Sequence, residues 1–120
     1  MASAKAVADD VIAWRRRFHA NPEVAFQERE TAAFVAEKLR DFGYTPEYVG
    51  ATGVMAVLEG ARPGKTLGLR ADMDALPVAE ASGEEFSSEN GNMHACGHDL
   101  HTSALVGAAA SRERTPVTSL

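Results

Sequence analysis

The chain has 120 residues, of which 45% are hydrophobic and 24% are charged, a composition typical of one small globular domain. Its net charge of −5 argues against nucleic acid or an anionic membrane as the main partner. No apolar run approaches the roughly 20 residues that span a bilayer, and no signal peptide is recognisable, so we expect a cytoplasmic protein. The single cysteine, Cys96, excludes an internal disulfide framework.

Two amphipathic helices are predicted in the first third of the chain. Apolar residues recur at helical spacing from residue 4 to residue 20, and Pro22 prevents the helix from continuing. We expect His19, in the last turn, to act as a cation near the helix C-terminus. A second helix is predicted over residues 27–41, with Phe34, Val35 and Leu39 on its buried side.

Three strand-like runs follow at residues 45–49, 54–58 and 66–70, separated by turn residues, and this predicts adjacent antiparallel strands. The third run leads directly into Asp72 and Asp74. On an extended chain, side chains two residues apart point the same way, so both carboxylates could face one site. Such crowding is costly without a cation, which favours a functional pair over residues that only cap turns.

A polar loop and a third helix are predicted next. Residues 79–92 contain the pair Glu84 and Glu85, which we expect to lie in water. Residues 99–110 are small and apolar and predict a helix that is buried almost all round. Residues 111–120 are polar and break this pattern.

Residues 94–101 (HACGHDLH) hold three of the four histidines and the only cysteine. Thiolate, imidazole and carboxylate groups are the ligands that zinc and its first-row neighbours prefer, and Gly97 allows a bend that turns Cys96 and His98 toward one ion. The alternatives are individually satisfied structural residues, a reactive cysteine, or a structural zinc site. A structural zinc site normally needs four closed ligands with further cysteine or histidine pairs, so a catalytic metal centre is favoured.

Residues 69–77 (LRADMDALP) and 93–102 (MHACGHDLHT) resemble the two N-terminal motifs of the N-acyl-amino-acid amidohydrolases. This is the hippurate hydrolase and indole-acetyl-amino-acid hydrolase branch of the aminoacylase-type zinc metallopeptidases. Residues 14–23 are similar to the opening helix of that branch. The resemblance implies an α/β fold, a partial three-layer catalytic domain with a mixed β-sheet flanked by helices, which is truncated and lacks the dimerisation domain of the family.

The resemblance also implies roles for particular residues. Cys96 matches the thiolate at the metal-bridging position, His98 matches a ligand of one metal, and Asp74 matches a supporting aspartate that orients the ligand set. Asp72 falls where related peptidases carry a histidine ligand. The family binds two divalent metals per complete site (Zn, Mn, Co or Ni), hydrolyses small N-acyl amino acids, and forms homodimers or homotetramers.

The catalytic glutamate of the family belongs to a Glu-Glu pair that follows the cysteine motif, whereas Glu84 and Glu85 precede it. We therefore expect residues 1–110 to form the N-terminal part of a catalytic domain, residues 111–120 to lie outside the family pattern, and the chain to be an incomplete and inactive fragment. The alternative is a small non-enzymatic module that binds a metal or docks on a partner through the helix at residues 100–110.

Overall fold

The computed structural model describes residues 2–114, and the side chains of residues 4–111. Helix α1 spans Ala2–Ala20, helix α2 spans Arg29–Asp41, strands β1 and β2 span Glu47–Val49 and Gly53–Met55, and helix α3 spans His98–Arg114. This order of elements is mixed α/β, which confirms the predicted fold class. None of the helices in this part of the chain is long and apolar enough to cross a bilayer.

The core lies where the three helices meet. Its buried members are Phe18, Phe34, Val35 and Val106, and partly buried residues surround them: Trp14, Leu39, Phe42, Val54 and Met73. The helical periodicity of the first third of the chain is thus confirmed. α1 and α3 approach so closely that a Cβ atom on Gly107 would lie 2.6 Å from Val11 Cγ2. Only glycine leaves room for this contact.

The sheet is smaller than the sequence predicts. β1 and β2 pair in antiparallel register, with Glu47 opposite Met55, so the first two predicted strands are confirmed in shortened form. The prediction of a third strand at residues 66–70 is wrong, because this segment has no strand geometry and Leu67 and Leu69 are 74% and 66% exposed. A strand requires a hydrogen-bonded neighbour, and within residues 2–114 no segment pairs with this one.

The segment after residue 70 is nevertheless fixed in place. The Ala75 amide donates to the Glu23 carbonyl at 2.8 Å, and Leu76 and Met93 exchange two backbone hydrogen bonds of 2.9 Å. The bridge between Val24 and Ala75 is parallel and the bridge between Leu76 and Met93 is antiparallel. These contacts bring the two sequence motifs side by side.

Helix α3 differs from its prediction at its end and on its surface. It continues to Arg114, so the expected break at residue 111 is wrong for residues 111–114; serine, arginine and glutamate are tolerated in helices. Residues 115–120 lie outside the described residues. The helix is buried on one side only, since Leu100 is 53% exposed while Ser103 and Val106 are buried.

Candidate metal centre

The imidazole of His98, the first residue of α3, is held by one residue of the neighbouring motif. Its Nδ1 lies 2.8 Å from the Asp74 carbonyl oxygen and 3.1 Å from Asp74 Oδ1. Both of these atoms are acceptors, so Nδ1 carries the proton and donates it. In the neutral ring Nε2 then keeps its lone pair, and Asp72 Oδ2 is 3.9 Å from it, beyond hydrogen-bond range. Nε2 of His98 is thus available to coordinate an ion.

The two aspartates lie on the same side of their segment. Met73, between them, packs against the core, and both carboxylates lie beside His98. The Thr102 hydroxyl donates to the Asp72 carbonyl at 2.8 Å, which docks the segment on the first turns of α3. Arg70 Nη2 forms a 2.6 Å ion pair with Asp72. The alternation in the sequence therefore brings three polar side chains together.

Cys96 lies in the turn immediately before α3, and its thiol is exposed. The next residue, Gly97, has a φ of 80°, a left-handed conformation that side chains disfavour, so the bend expected from the sequence is present. His101 is also exposed, and its ring centroid is 6.2 Å from that of His98. Glu84 and Glu85 are exposed in the preceding loop, as expected.

These donors fit a divalent ion in kind but form only part of a ligand set. A thiolate and an imidazole whose second nitrogen donates to a carboxylate are typical of zinc sites. However, no three histidine, cysteine, aspartate or glutamate side chains within the described part of the chain are grouped closely enough to hold a metal ion. The described residues thus offer two suitable donors, Cys96 and His98, and a supporting carboxylate, Asp74.

His94 is only 5% exposed, and neither of its ring nitrogens has a hydrogen-bond partner among the described residues. Burial lowers the pKa of His94, and the nearby Asp99 carboxylate opposes this effect in part. His94 lines a cleft of about 400 Å³ together with Asp99 and residues of α1 and the 80–86 loop. Ala95 and Gly97, the neighbours of Cys96 along the chain, also line this cleft, whereas Cys96 and His98 do not.

The other wall of this cleft contains a network that the sequence did not reveal. Asp99, 1% exposed, accepts a hydrogen bond from Arg15 Nε at 2.8 Å and lies 2.8 Å from His19 Nδ1. His19 Nε2 lies 2.8 Å from Glu80 Oε2. His19 is in the last turn of α1, as predicted, and it is buried, while the Arg15 side chain is 27% exposed. The only local signal is the spacing of Arg15 and His19, four residues apart and therefore on one side of the helix.

The model of peptidase family M20/M25/M40 matches residues 68–115, which contain both aspartates, Cys96 and His98. The N-acyl-L-amino acid amidohydrolase of Geobacillus stearothermophilus is 54% identical to this chain over 105 residues. This alignment covers 86% of this chain and 28% of that enzyme. Over residues 68–115 this chain is therefore similar to the M20/M25/M40 family.

Two further comparisons agree with this similarity to the M20/M25/M40 family. Thermostable carboxypeptidase 2 of Saccharolobus solfataricus is 50% identical over 108 residues, 88% of this chain and 28% of that protein. The Bacillus subtilis YXEP protein, a dinuclear metal-binding peptidase of the M20 family, superimposes with a TM-score of 0.86 at 38% identity, over 92% of this chain and 32% of that one. The resemblance identified in the sequence is confirmed. The chain spans about 28% of the length of the two curated relatives named above.

Proposed function

We propose that this chain contributes Cys96 and His98 as ligands to the metal site of a hydrolase that cleaves the amide bond of N-acyl amino acids. The observation that carries the proposal is the orientation of His98. Asp74 accepts a hydrogen bond from His98 Nδ1 through its carbonyl and carboxylate oxygens. Nε2 is then free to bind a metal ion, and the exposed Cys96 thiol lies two residues away along the chain. The amidohydrolase relative supports the substrate class.

Each residue of the site has a distinct role in this proposal. A pair of divalent ions (Zn, Mn, Co or Ni) would supply Lewis-acid activation of water and of the amide carbonyl when bound. Cys96 offers a thiolate sulfur, His98 offers Nε2, and Asp74 fixes the tautomer and increases the basicity of the His98 ring. Asp72, held by Arg70, places a second negative charge beside the ring.

We assign the general base to neither Glu84 nor Glu85, because both are exposed in the loop that precedes the motif. Two protein donors make an open and weak metal site, so we propose that the chain on its own binds a divalent ion weakly and does not turn over substrate. Residues 1–110 are proposed to form part of a catalytic domain whose complete form acts in the cytoplasm as a homo-oligomer.

A second candidate activity is the release of a C-terminal amino acid from a peptide. The identity to Thermostable carboxypeptidase 2 supports it. Both reactions hydrolyse an amide whose amine product is an amino acid, so both require the same metal ligands. They differ only in the group on the acyl side.

A chimera tests the proposal. The 105 matched residues of the Geobacillus stearothermophilus enzyme are exchanged for those of this chain, and release of amino acids is measured from N-acetyl amino acids, from hippurate and from blocked peptides. We expect metal-dependent release from the acyl amino acids, and a loss of about 100-fold or more in Cys96→Ala and His98→Ala. Glu85→Gln, an exposed loop variant, is the matched control and should retain activity. Undiminished release in the double variant would contradict the ligand assignment, and release from peptides alone would favour the second candidate.

A further inference from the structure

A buried row of charged side chains joins α1 to both segments that flank the Cys96–His98 turn. Asp99, the residue after His98, is bound to Arg15 and His19 of α1, and His19 in turn reaches Glu80. Each of the three contacts measures 2.8 Å between heavy atoms, and the side chains of His19, Glu80 and Asp99 are 6%, 0% and 1% exposed. Such enclosed charges are destabilising unless they are paired, and Arg15 and His19 pair Asp99 through Oδ2, while Asp99 Oδ1 has no hydrogen-bond partner among the described residues.

The two carboxylates require His19 to carry protons on both ring nitrogens. Glu80 is ionised, since hydrogen bonds from the Ser82 hydroxyl and the Ser88 amide lower its pKa from 4.5 to about 2. Asp99 Oδ2 already accepts from Arg15 and cannot donate to the ring. Oxygen acceptors therefore face both Nδ1 and Nε2, and only the imidazolium form can donate to both. A His19 ring with a proton on each nitrogen would donate to both carboxylates.

This bridge acts on the two parts of the chain that set the position of the metal ligands. Glu80 Oε1 accepts from the Ser88 amide at 2.7 Å within the loop that precedes the motif, and Glu80 Oε2 contacts His19, which holds this loop against α1. Asp99 lies in the first turn of α3, so its contact with His19 fixes that turn from one side. Asp74 holds His98 from the other side. Loss of either contact would free the turn to rotate and change the position of His98 relative to Cys96.

We propose that His19 and Glu80 are positioning residues for the metal ligands: the His19 imidazolium bridges the Glu80 and Asp99 carboxylates and thereby sets the orientation of Cys96 and His98. The inference rests on the proposed function, because it takes these two side chains as metal ligands. It goes further in assigning a role to α1, which contributes no ligand itself.

One test needs neither a metal nor a variant. Long-range proton–nitrogen NMR of the histidine rings in the 120-residue chain at neutral pH should show His19 with both ring nitrogens protonated, and His98 with the proton on Nδ1. A neutral, singly protonated His19 would overturn the bridge. This result is independent of whether Cys96 and His98 bind a metal.

The second test measures cobalt affinity from the thiolate-to-cobalt absorption band, with circular dichroism to confirm that each variant is folded. Glu80→Ala and His19→Gln each break one link and should weaken cobalt binding about tenfold, within the range known for groups behind a metal ligand. Glu80→Gln should stay within about twofold of the parent, because its amide can donate to Nε2 of a neutral His19 and keep the bridge closed. Glu85→Ala, in the same loop, is the matched control and should bind as the parent does.

The outcomes separate the two proposals. If folded Glu80→Ala binds cobalt as tightly as the parent, or if Glu80→Gln is as weak as Glu80→Ala, the positioning role is wrong while the ligands stand. If the parent shows no cobalt band that Cys96→Ser removes, the ligand assignment fails and the positioning role falls with it. If Glu80→Ala and His19→Gln do not fold, two other measurements test the bridge. Weaker cobalt binding by Glu80→Gln than by the parent, or an NMR spectrum of a neutral His19 ring, would overturn it.

Discussion

Removal of the Asp74 carboxylate should weaken metal binding at His98 without abolishing it. In Asp74→Ala the backbone carbonyl, 2.8 Å from Nδ1, still fixes the tautomer, and only the side-chain contact of 3.1 Å is lost. A hydrogen bond to a charged group contributes about 1.5–3 kcal/mol, and the Asp74 side chain is 32% exposed, so the lower value applies. About 1.5 kcal/mol corresponds to roughly tenfold weaker cobalt binding. Asp74→Asn keeps a neutral acceptor and should lose only about threefold.

The assay is cobalt addition to the 120-residue chain, followed by the thiolate-to-cobalt absorption band in competition with a chelator of known affinity. Asp10→Asn, an exposed substitution on α1 with the same change in charge, is the control and should bind as the parent does. Unchanged affinity in Asp74→Ala would refute the contribution of the Asp74 carboxylate to metal binding at His98. A loss as complete as that of His98→Ala would show instead that Asp74 is itself a ligand.

Two further predictions concern stability. Gly107→Ala should lower the free energy of unfolding, measured in urea, by about 1–2 kcal/mol, because the clash with Val11 outweighs the gain in helix propensity. The penalty should disappear when Gly107→Ala is combined with Val11→Ala. A Gly107→Ala variant that is more stable than the parent would contradict the packing of α1 on α3. Because the pKa of Glu80 is lowered from 4.5 to about 2, its ionised form stabilises the fold above about pH 4.5, and this stabilisation should be lost as the pH falls toward 2. Glu80→Gln should show a smaller loss of stability over that range, and identical pH dependence of the two proteins would refute the assignment.

The parts of the fold that the sequence predicts are those set by local periodicity. The apolar spacing around Phe18 and Phe34 predicts α1 and α2, and the structure buries those side chains. Residues 66–70 have an equally good local pattern for a strand, but a strand is stabilised by its neighbour, which local sequence does not specify. Leu67 and Leu69 accordingly remain exposed.

In the candidate site, too, local sequence predicts some residues, whereas contacts between distant parts of the chain determine others. Asp72, Asp74, Cys96 and His98 could be selected from sequence because their types and spacing within two short motifs are those of metal ligands. The contact of His19 with Asp99 joins residues 80 positions apart, and the two are brought together only by the packing of α1 against α3. No periodicity within either helix identifies that pair, so the sequence predicts only a cation near the helix C-terminus at His19 and not its burial between two carboxylates.

X-ray absorption at the zinc edge of the 120-residue chain tests the central claim most directly. The account predicts one sulfur scatterer at about 2.3 Å and imidazole nitrogen at about 2.0–2.1 Å, with the sulfur lost in Cys96→Ala and the imidazole signal reduced in His98→Ala. Glu85→Gln should leave the spectrum unchanged. A zinc ion bound by the parent through oxygen and nitrogen alone, or a sulfur signal that survives in Cys96→Ala, would contradict it.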